Sequence, residues 1–149
     1  MEITRNLNEV EILIVEDNQN DAEMALRALK QNNLANHVLV VNDGQKALDF
    51  IYARGEFAGR KKSLRPKIIL LDLKLPRVDG LEVLREIKSN PETKIIPVIV
   101  LTSSKEENDI VQSYKLGVNS YIIKPVDFDK FVETIRHLGL YWLLLNQQP

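Results

Sequence analysis

Five short apolar runs constrain what this chain can fold into: VEILIV at 10–15, HVLVV at 37–41, KIILL at 67–71, PVIVL at 97–101 and SYIIK at 120–124. Each is β-branched or leucine-rich and nearly continuous, as strands covered on both faces are. Helical patterns separate them. Ala22, Leu26 and Leu29 share a face of the first, and Ala47, Leu48 and Ile51 mark the second. Leu81, Leu84 and Ile87 or Lys88 mark the third, and Ile110, Val111 and Tyr114 the fourth. The last repeats apolar residues at Phe128, Phe131, Ile135, Leu138, Trp142 and Leu145, close to helical spacing. Asn42-Asp43-Gly44 suits the start of the second helix, Asp79-Gly80 the start of the third, and Gly117 the end of the fourth. Strand–helix alternation of this kind predicts parallel strands joined by right-handed crossovers. The expected fold is α/β: a doubly wound, five-stranded parallel sheet flanked by five helices, of flavodoxin-like type.

The length of 149 residues favours one domain, with a core over about 10–138 and a C-terminal helical extension at 139–149. Twenty basic and 21 acidic side chains leave a net charge of -1, which argues against nucleic acid as an electrostatic partner. The absence of cysteine excludes disulfides, thiolate metal sites and cysteine nucleophiles, and His37 and His137 are too few for a histidine-based site. The N-terminus lacks the basic start and apolar run of a signal peptide, and every apolar run is far shorter than the roughly 20 residues needed to span a bilayer. A cytoplasmic protein with no membrane partner is expected.

In sheets of this class, sites form outside the carboxyl ends of the strands. Glu16 and Asp17 end the first strand, Asp72 the third, Thr102 and Ser103 the fourth, and Lys124 the fifth. Singly, each reads as a cap, a turn or a chain exit; Glu16-Asp17 alone suits the cap of the first helix. Jointly, at four of the five strand ends, they read as a constellation. Converging acids repel: two like charges about 4 Å apart cost roughly 4 kcal/mol at an effective dielectric near 20. Three carboxylates and one lysine sum formally to about -2, which one divalent cation neutralises. Ligands that are all oxygen favour Mg²⁺, which keeps waters and accepts phosphate oxygens. An Asp carboxylate beside such an ion is a candidate nucleophile toward phosphorus, with the ammonium stabilising the transferring group and the Thr102 hydroxyl donating to it. Asp72, central in the set, is the expected nucleophile.

The segments ILIVEDN, ILLDLKLPRVDG, VIVLTSS and GVNSYIIKP, in this order and spacing, resemble the receiver domain of two-component response regulators, over about Val10 to Leu138. The resemblance implies that Asp72 accepts a phosphoryl group from a sensor histidine kinase. It also implies that Glu16, Asp17, Asp72 and the backbone carbonyl of Lys74 bind Mg²⁺. Lys124 would pair with the phosphoryl group, the Lys124–Pro125 bond would be cis, and Thr102 and Tyr121 would form a switch pair. The bland reading of Tyr121 is a half-buried strand aromatic. Glu16 stands where the family often has Asp, Leu75 where it often has Met, and Lys74 and Ser104 at positions that tune phosphoryl lifetime. The protein would be a signalling phosphoacceptor that catalyses its own phosphoryl transfer and slow autodephosphorylation. It would not be an enzyme acting on a separate substrate.

With no apparent DNA-binding segment after the receiver, output is expected from surfaces of the fourth helix, fifth strand and fifth helix. Two features stand apart. YARGEFAGRKKSLRP at 52–66 holds Arg54, Arg60, Lys61, Lys62 and Arg65 and reads as a solvated loop, with partner docking as the alternative. Leu140 to Leu145 are apolar without interruption, and Tyr141, Trp142, Leu143, Leu144 and Leu145 form an expected homodimer interface, against the alternative of a tail folded onto its own core. Together these features resemble single-domain regulators of bacterial and cyanobacterial phytochrome kinases. Competing readings fit less well. A haloacid-dehalogenase phosphatase wants a second Asp where Lys74 stands, and a flavodoxin-like cofactor binder wants a phosphate-cradling loop where EDNQND stands. A non-phosphorylated pseudo-receiver acting as a binding or dimerisation module would not need the complete acid set.

Overall fold

The computed structural model describes residues 6–34 and 37–138. Its strands and helices alternate: β1 (Ile12–Val15), α1 (Gln19–Gln31), β2 (Val38–Val41), α2 (Gly44–Ile51), β3 (Ile68–Leu71), α3 (Gly80–Ser89), β4 (Val98–Thr102), α4 (Glu107–Leu116), β5 (Ser120–Ile123) and α5 (Phe128–His137). The strands form one sheet in the order β2-β1-β3-β4-β5, every pair parallel. This is the expected doubly wound architecture, with β3 at its centre.

Strand alternation sorts the core into two layers. Leu13, Val15, Ile69, Leu71, Val98 and Val100 pack with Ala47 and Leu48 of α2 and Val83, Leu84 and Ile87 of α3. Ile12, Ile14, Ile68, Leu70, Ile99 and Leu101 pack with Ala25 and Leu29 of α1 and Phe131 and Ile135 of α5. Burying one such side chain stabilises by about 1.5–3 kcal/mol, so the central strands, buried at every position, hold the frame. Asp43, Asp79 and Asp127 cap α2, α3 and α5 by accepting from backbone N–H groups of the first turn. Gly117 ends α4 at φ 100°. The cap of α1 is Asn18, so Glu16 and Asp17 are not spent on that task.

Three expectations are corrected. β5 is not covered on both faces: it is one of the two edge strands, none of its residues is fully buried, and Ile123 is 37% exposed. On α4 the buried residues are Asp109 and Ser113, while Val111 and Tyr114 are 40% and 52% exposed. The apolar spacing there marks the outer face, because polar contacts anchor the inner one. The basic segment 52–66 is not simply solvated. Phe57 is buried edge-on against Phe50, with centroids 5.4 Å apart, and Arg60 is buried with its guanidinium 4.4 Å from the Phe50 ring centroid. Among the described residues no helix is long and apolar enough to cross a membrane. The interface expected at Tyr141, Trp142, Leu143, Leu144 and Leu145, with the whole extension 139–149, lies outside the described residues.

Candidate functional site at the carboxyl edge of the sheet

Strand register assembles the site. Val15 lies between Val41 and Leu71 in the sheet, so Glu16 and Asp72 are the next residues on adjoining strands. Thr102 pairs with Ile123, so Lys124 emerges beside it. Backbone bonds carry this order past the strand ends: the Asp72 N–H donates to the Val15 carbonyl (3.0 Å), Glu16 N–H to Val41 (3.0 Å) and Lys124 N–H to Thr102 (2.8 Å).

The oxygens that meet there are close. Glu16, Asp17 and Asp72 each offer a carboxylate oxygen, all within 4.8 Å of one another, with Glu16 and Asp72 buried and Asp17 exposed. Lys124 Nζ lies 2.6 Å from Glu16 Oε1, 2.8 Å from Asp21 Oδ2 and 3.1 Å from Asp72 Oδ2. The other Asp72 oxygen, Oδ1, accepts from the Lys74 N–H at 3.1 Å.

Electrostatics show which sign of charge the cluster lacks. Burial pushes the Glu16 carboxyl up from 4.5 to about 7; the Lys124 and Asn18 donors oppose this, and the Asp72 charge adds to it. Burial alone would lower Lys124, yet its hydrogen bonds to Asp21 and Glu16 and the charges of Asp72 and Glu16 hold it well above the ordinary lysine value. Burial thus sets the direction for Glu16 and the surrounding acids set it for Lys124; by count, the four carboxylates of Glu16, Asp17, Asp21 and Asp72 stand against this one ammonium. A hard cation with oxygen ligands fits that donor set.

On the other side of the sheet lies a second group. Thr102 is fully buried, and its Oγ1 accepts a long bond from the Ser104 N–H (3.4 Å). Tyr121 is half-buried against the α2–α3 core layer, and its hydroxyl donates to the Ser104 carbonyl at 3.0 Å. The Ser104 hydroxyl donates to Asp109 Oδ2 at 2.6 Å, and Lys74 Nζ lies 3.3 Å from the same oxygen. The Lys124–Pro125 bond is cis, as the resemblance implied.

A model of the response regulator receiver domain matches residues 12–136. The chain belongs to this family. Among relatives of this receiver, the response regulator Rcp1 of Synechocystis sp. (strain ATCC 27184 / PCC 6803 / Kazusa) is 40% identical over 132 residues, which cover 89% of this chain and 88% of Rcp1. The crystal structure of the Mn²⁺-bound form of Rcp1 aligns with a TM-score of 0.75 at 38% identity, over 93% of this chain and 97% of that one. The bacteriophytochrome response regulator RtBRR aligns with a TM-score of 0.81 at 51% identity, over 93% of this chain and 82% of that one. The phosphorylated cyanobacterial phytochrome response regulator RcpA aligns at 0.74 and 42% identity, over 89% of this chain and 92% of that one.

The receiver thus brings Glu16, Asp17, Asp72 and Lys124 together and places Thr102 and Tyr121 next to one another through the Ser104 loop. Sequence reasoning missed Asp21 and Asp109. Asp21 had a signal: it stands one turn before Ala25, on the flank by which α1 meets the sheet. Asp109 had none, since a first-turn acid is usually a solvated helix end.

Proposed function

We propose that this receiver is the phosphoacceptor of a two-component phosphorelay, switched by Mg²⁺-dependent phosphorylation of Asp72. The observation that carries the reading is the double tether of the buried Asp72 carboxylate, Oδ2 to Lys124 and Oδ1 to the Lys74 N–H, inside a set of acids within 4.8 Å. Glu16, Asp17, Asp72 and the Lys74 carbonyl would hold the ion, which when bound offsets charge on the transferring group. A carboxylate oxygen of Asp72 attacks the phosphorus of a phosphohistidine. The P–O bond forms as the P–N bond breaks, and the electron pair leaves with the imidazole, which takes up a proton. Lys124 turns its ammonium from the Asp72 oxygen toward the new phosphoryl oxygens.

The switch then runs through the other side of the sheet. Thr102 moves toward the phosphoryl group, Tyr121 packs into the space it leaves, and the surface of α4, β5 and α5 changes. This receiver works in the cytoplasm, takes its phosphoryl group from a phytochrome-type sensor kinase, and dimerises through Tyr141–Leu145. The phosphorylated state of RcpA and the phytochrome link in the names of RcpA and RtBRR support the kinase class.

Labelling with acetyl phosphate tests the acceptor: incorporation requires Mg²⁺ and is lost in Asp72→Asn, whereas undiminished labelling of that variant excludes Asp72. Sedimentation tests the dimer: a monomer at high concentration, with and without phosphorylation, removes the C-terminal interface.

A further inference from the structure

An ammonium has three N–H donors, and all three of Lys124 are engaged: Glu16 at 2.6 Å, Asp21 at 2.8 Å and Asp72 at 3.1 Å. These three acceptors are not equivalent. Glu16 and Asp72 belong to the oxygen cluster with Asp17, and Asp21 does not. A divalent ion in that cluster would take oxygens from Glu16 and Asp72, the two carboxylates Lys124 also uses. Two cations would then compete for the same carboxylates. Asp21 is the one partner of Lys124 outside the oxygen cluster.

Asp21 is also held where it can serve. It lies in the first turn of α1, and its own N–H donates to the Asn18 cap at 3.0 Å. The cap therefore fixes the position of a carboxylate that grips a lysine 103 residues further along the chain.

We propose that Asp21 is a positioning residue of the phosphorylation site: it draws the Lys124 ammonium toward α1, so that Glu16 and Asp72 can turn their oxygens to the metal while the lysine stays beside Asp72. This rests on the reading of the acid cluster as a Mg²⁺ site. Without Asp21, Lys124 leans on Glu16 and Asp72 alone and opposes the ion there. Asp21 acts on Lys124 and touches no reacting atom.

The test is Mg²⁺ titration of the full chain, followed by backbone amide resonances, in wild type, Asp21→Asn, Asp21→Glu, Lys124→Met and the Asp21→Asn/Lys124→Met double variant. Asp21→Asn is expected to weaken Mg²⁺ binding by at least about threefold, the scale of a partly exposed ion pair. Asp21→Glu restores most of the affinity. In the Lys124→Met background the same Asn substitution changes it by less than about twofold, because the competing cation is gone. Wild-type affinity in Asp21→Asn overturns the inference, and so does an equal loss in both backgrounds, which would make Asp21 a bulk charge. A wild-type chain that gives no response to Mg²⁺ overturns the metal reading itself, and this inference with it.

Discussion

The Ser104 hydroxyl donates to the buried carboxylate of Asp109 across 2.6 Å, and the ammonium of Lys74 lies 3.3 Å from the same oxygen. One side chain in the first turn of α4 thus joins the loop leaving Asp72 to the loop leaving Thr102. Asp109→Ala removes the partner of a buried hydroxyl and is expected to cost about 1–3 kcal/mol in urea unfolding. The exposed Lys74 contributes little to that figure. Asp109→Asn keeps the shape and an acceptor for Ser104 and should cost less than half as much. In both variants the amide resonances of α4 are expected to respond less to phosphorylation of Asp72. An α4 response equal to wild type would show that the Asp72 loop does not reach α4 through Asp109.

Gly80 makes a close approach that a side chain would prevent. A Cβ there would overlap the Asp72 carbonyl and lie 2.5 Å from Leu73 Cα. Gly80→Ala is expected to cost about 1–3 kcal/mol and also to weaken Mg²⁺ binding, since relief of the overlap must move the Asp72 loop. Gly117→Ala is the contrast. Its Cβ would meet only Lys88 Cδ at 3.9 Å, but φ is 100°, so about 1 kcal/mol is lost to backbone strain with Mg²⁺ affinity unchanged. Calorimetric unfolding paired with Mg²⁺ titration separates the two.

The frame was legible in the sequence because β1, β3 and β4 are central and, Thr102 apart, apolar, and because polar groups gathered at several strand ends have few joint structural uses. What escaped was tertiary. The inner face of α4 is polar, so the apolar positions Val111 and Tyr114 pointed to the wrong side. Asp109 acquires meaning only from Lys74 and Ser104, partners that local periodicity does not reveal, while the place of Asp21 one turn before Ala25 marks its flank of α1 but not its partner Lys124. Arg60 looked solvated because its type usually is, yet its stem and guanidinium cover Phe50.

Arg60 provides a separate test, away from the site. The 52–66 segment enters β3 at its amino end, the edge opposite Asp72. Arg60 donates to the Lys61 carbonyl at 2.6 Å and to that of Ile51 at 3.4 Å, while its Nε is buried with no partner. Arg60→Ala exposes the Phe50 ring and is expected to cost about 2–3 kcal/mol. Arg60→Met keeps the cover and removes the unpaired nitrogen, and should cost about 1 kcal/mol or less. Both should bind Mg²⁺ as wild type does. Thermal unfolding that ranks Met below Ala would refute the packing role.

Glu16 makes stability depend on pH with a definite sign. Its folded carboxyl titrates near 7 against 4.5 for the ordinary group, mainly because it is buried. An acid whose folded value is raised holds a proton that the unfolded chain has released, so its contribution is full below about pH 4.5 and is lost as pH rises through about 7. The loss is on the order of 3 kcal/mol. Mg²⁺ bound at the proposed site should reverse the balance, since it would take the deprotonated carboxylate and restore stability on the alkaline side. The measurement is urea unfolding between about pH 5 and about pH 8, in chelator and in excess Mg²⁺, for wild type and Glu16→Gln. The difference between wild type and Glu16→Gln subtracts the contributions of every other titratable group. In chelator, wild type minus variant should fall with rising pH, and Mg²⁺ should abolish that fall. A difference that is flat in chelator would mean that Glu16 is ionised throughout, with Lys124 outweighing burial.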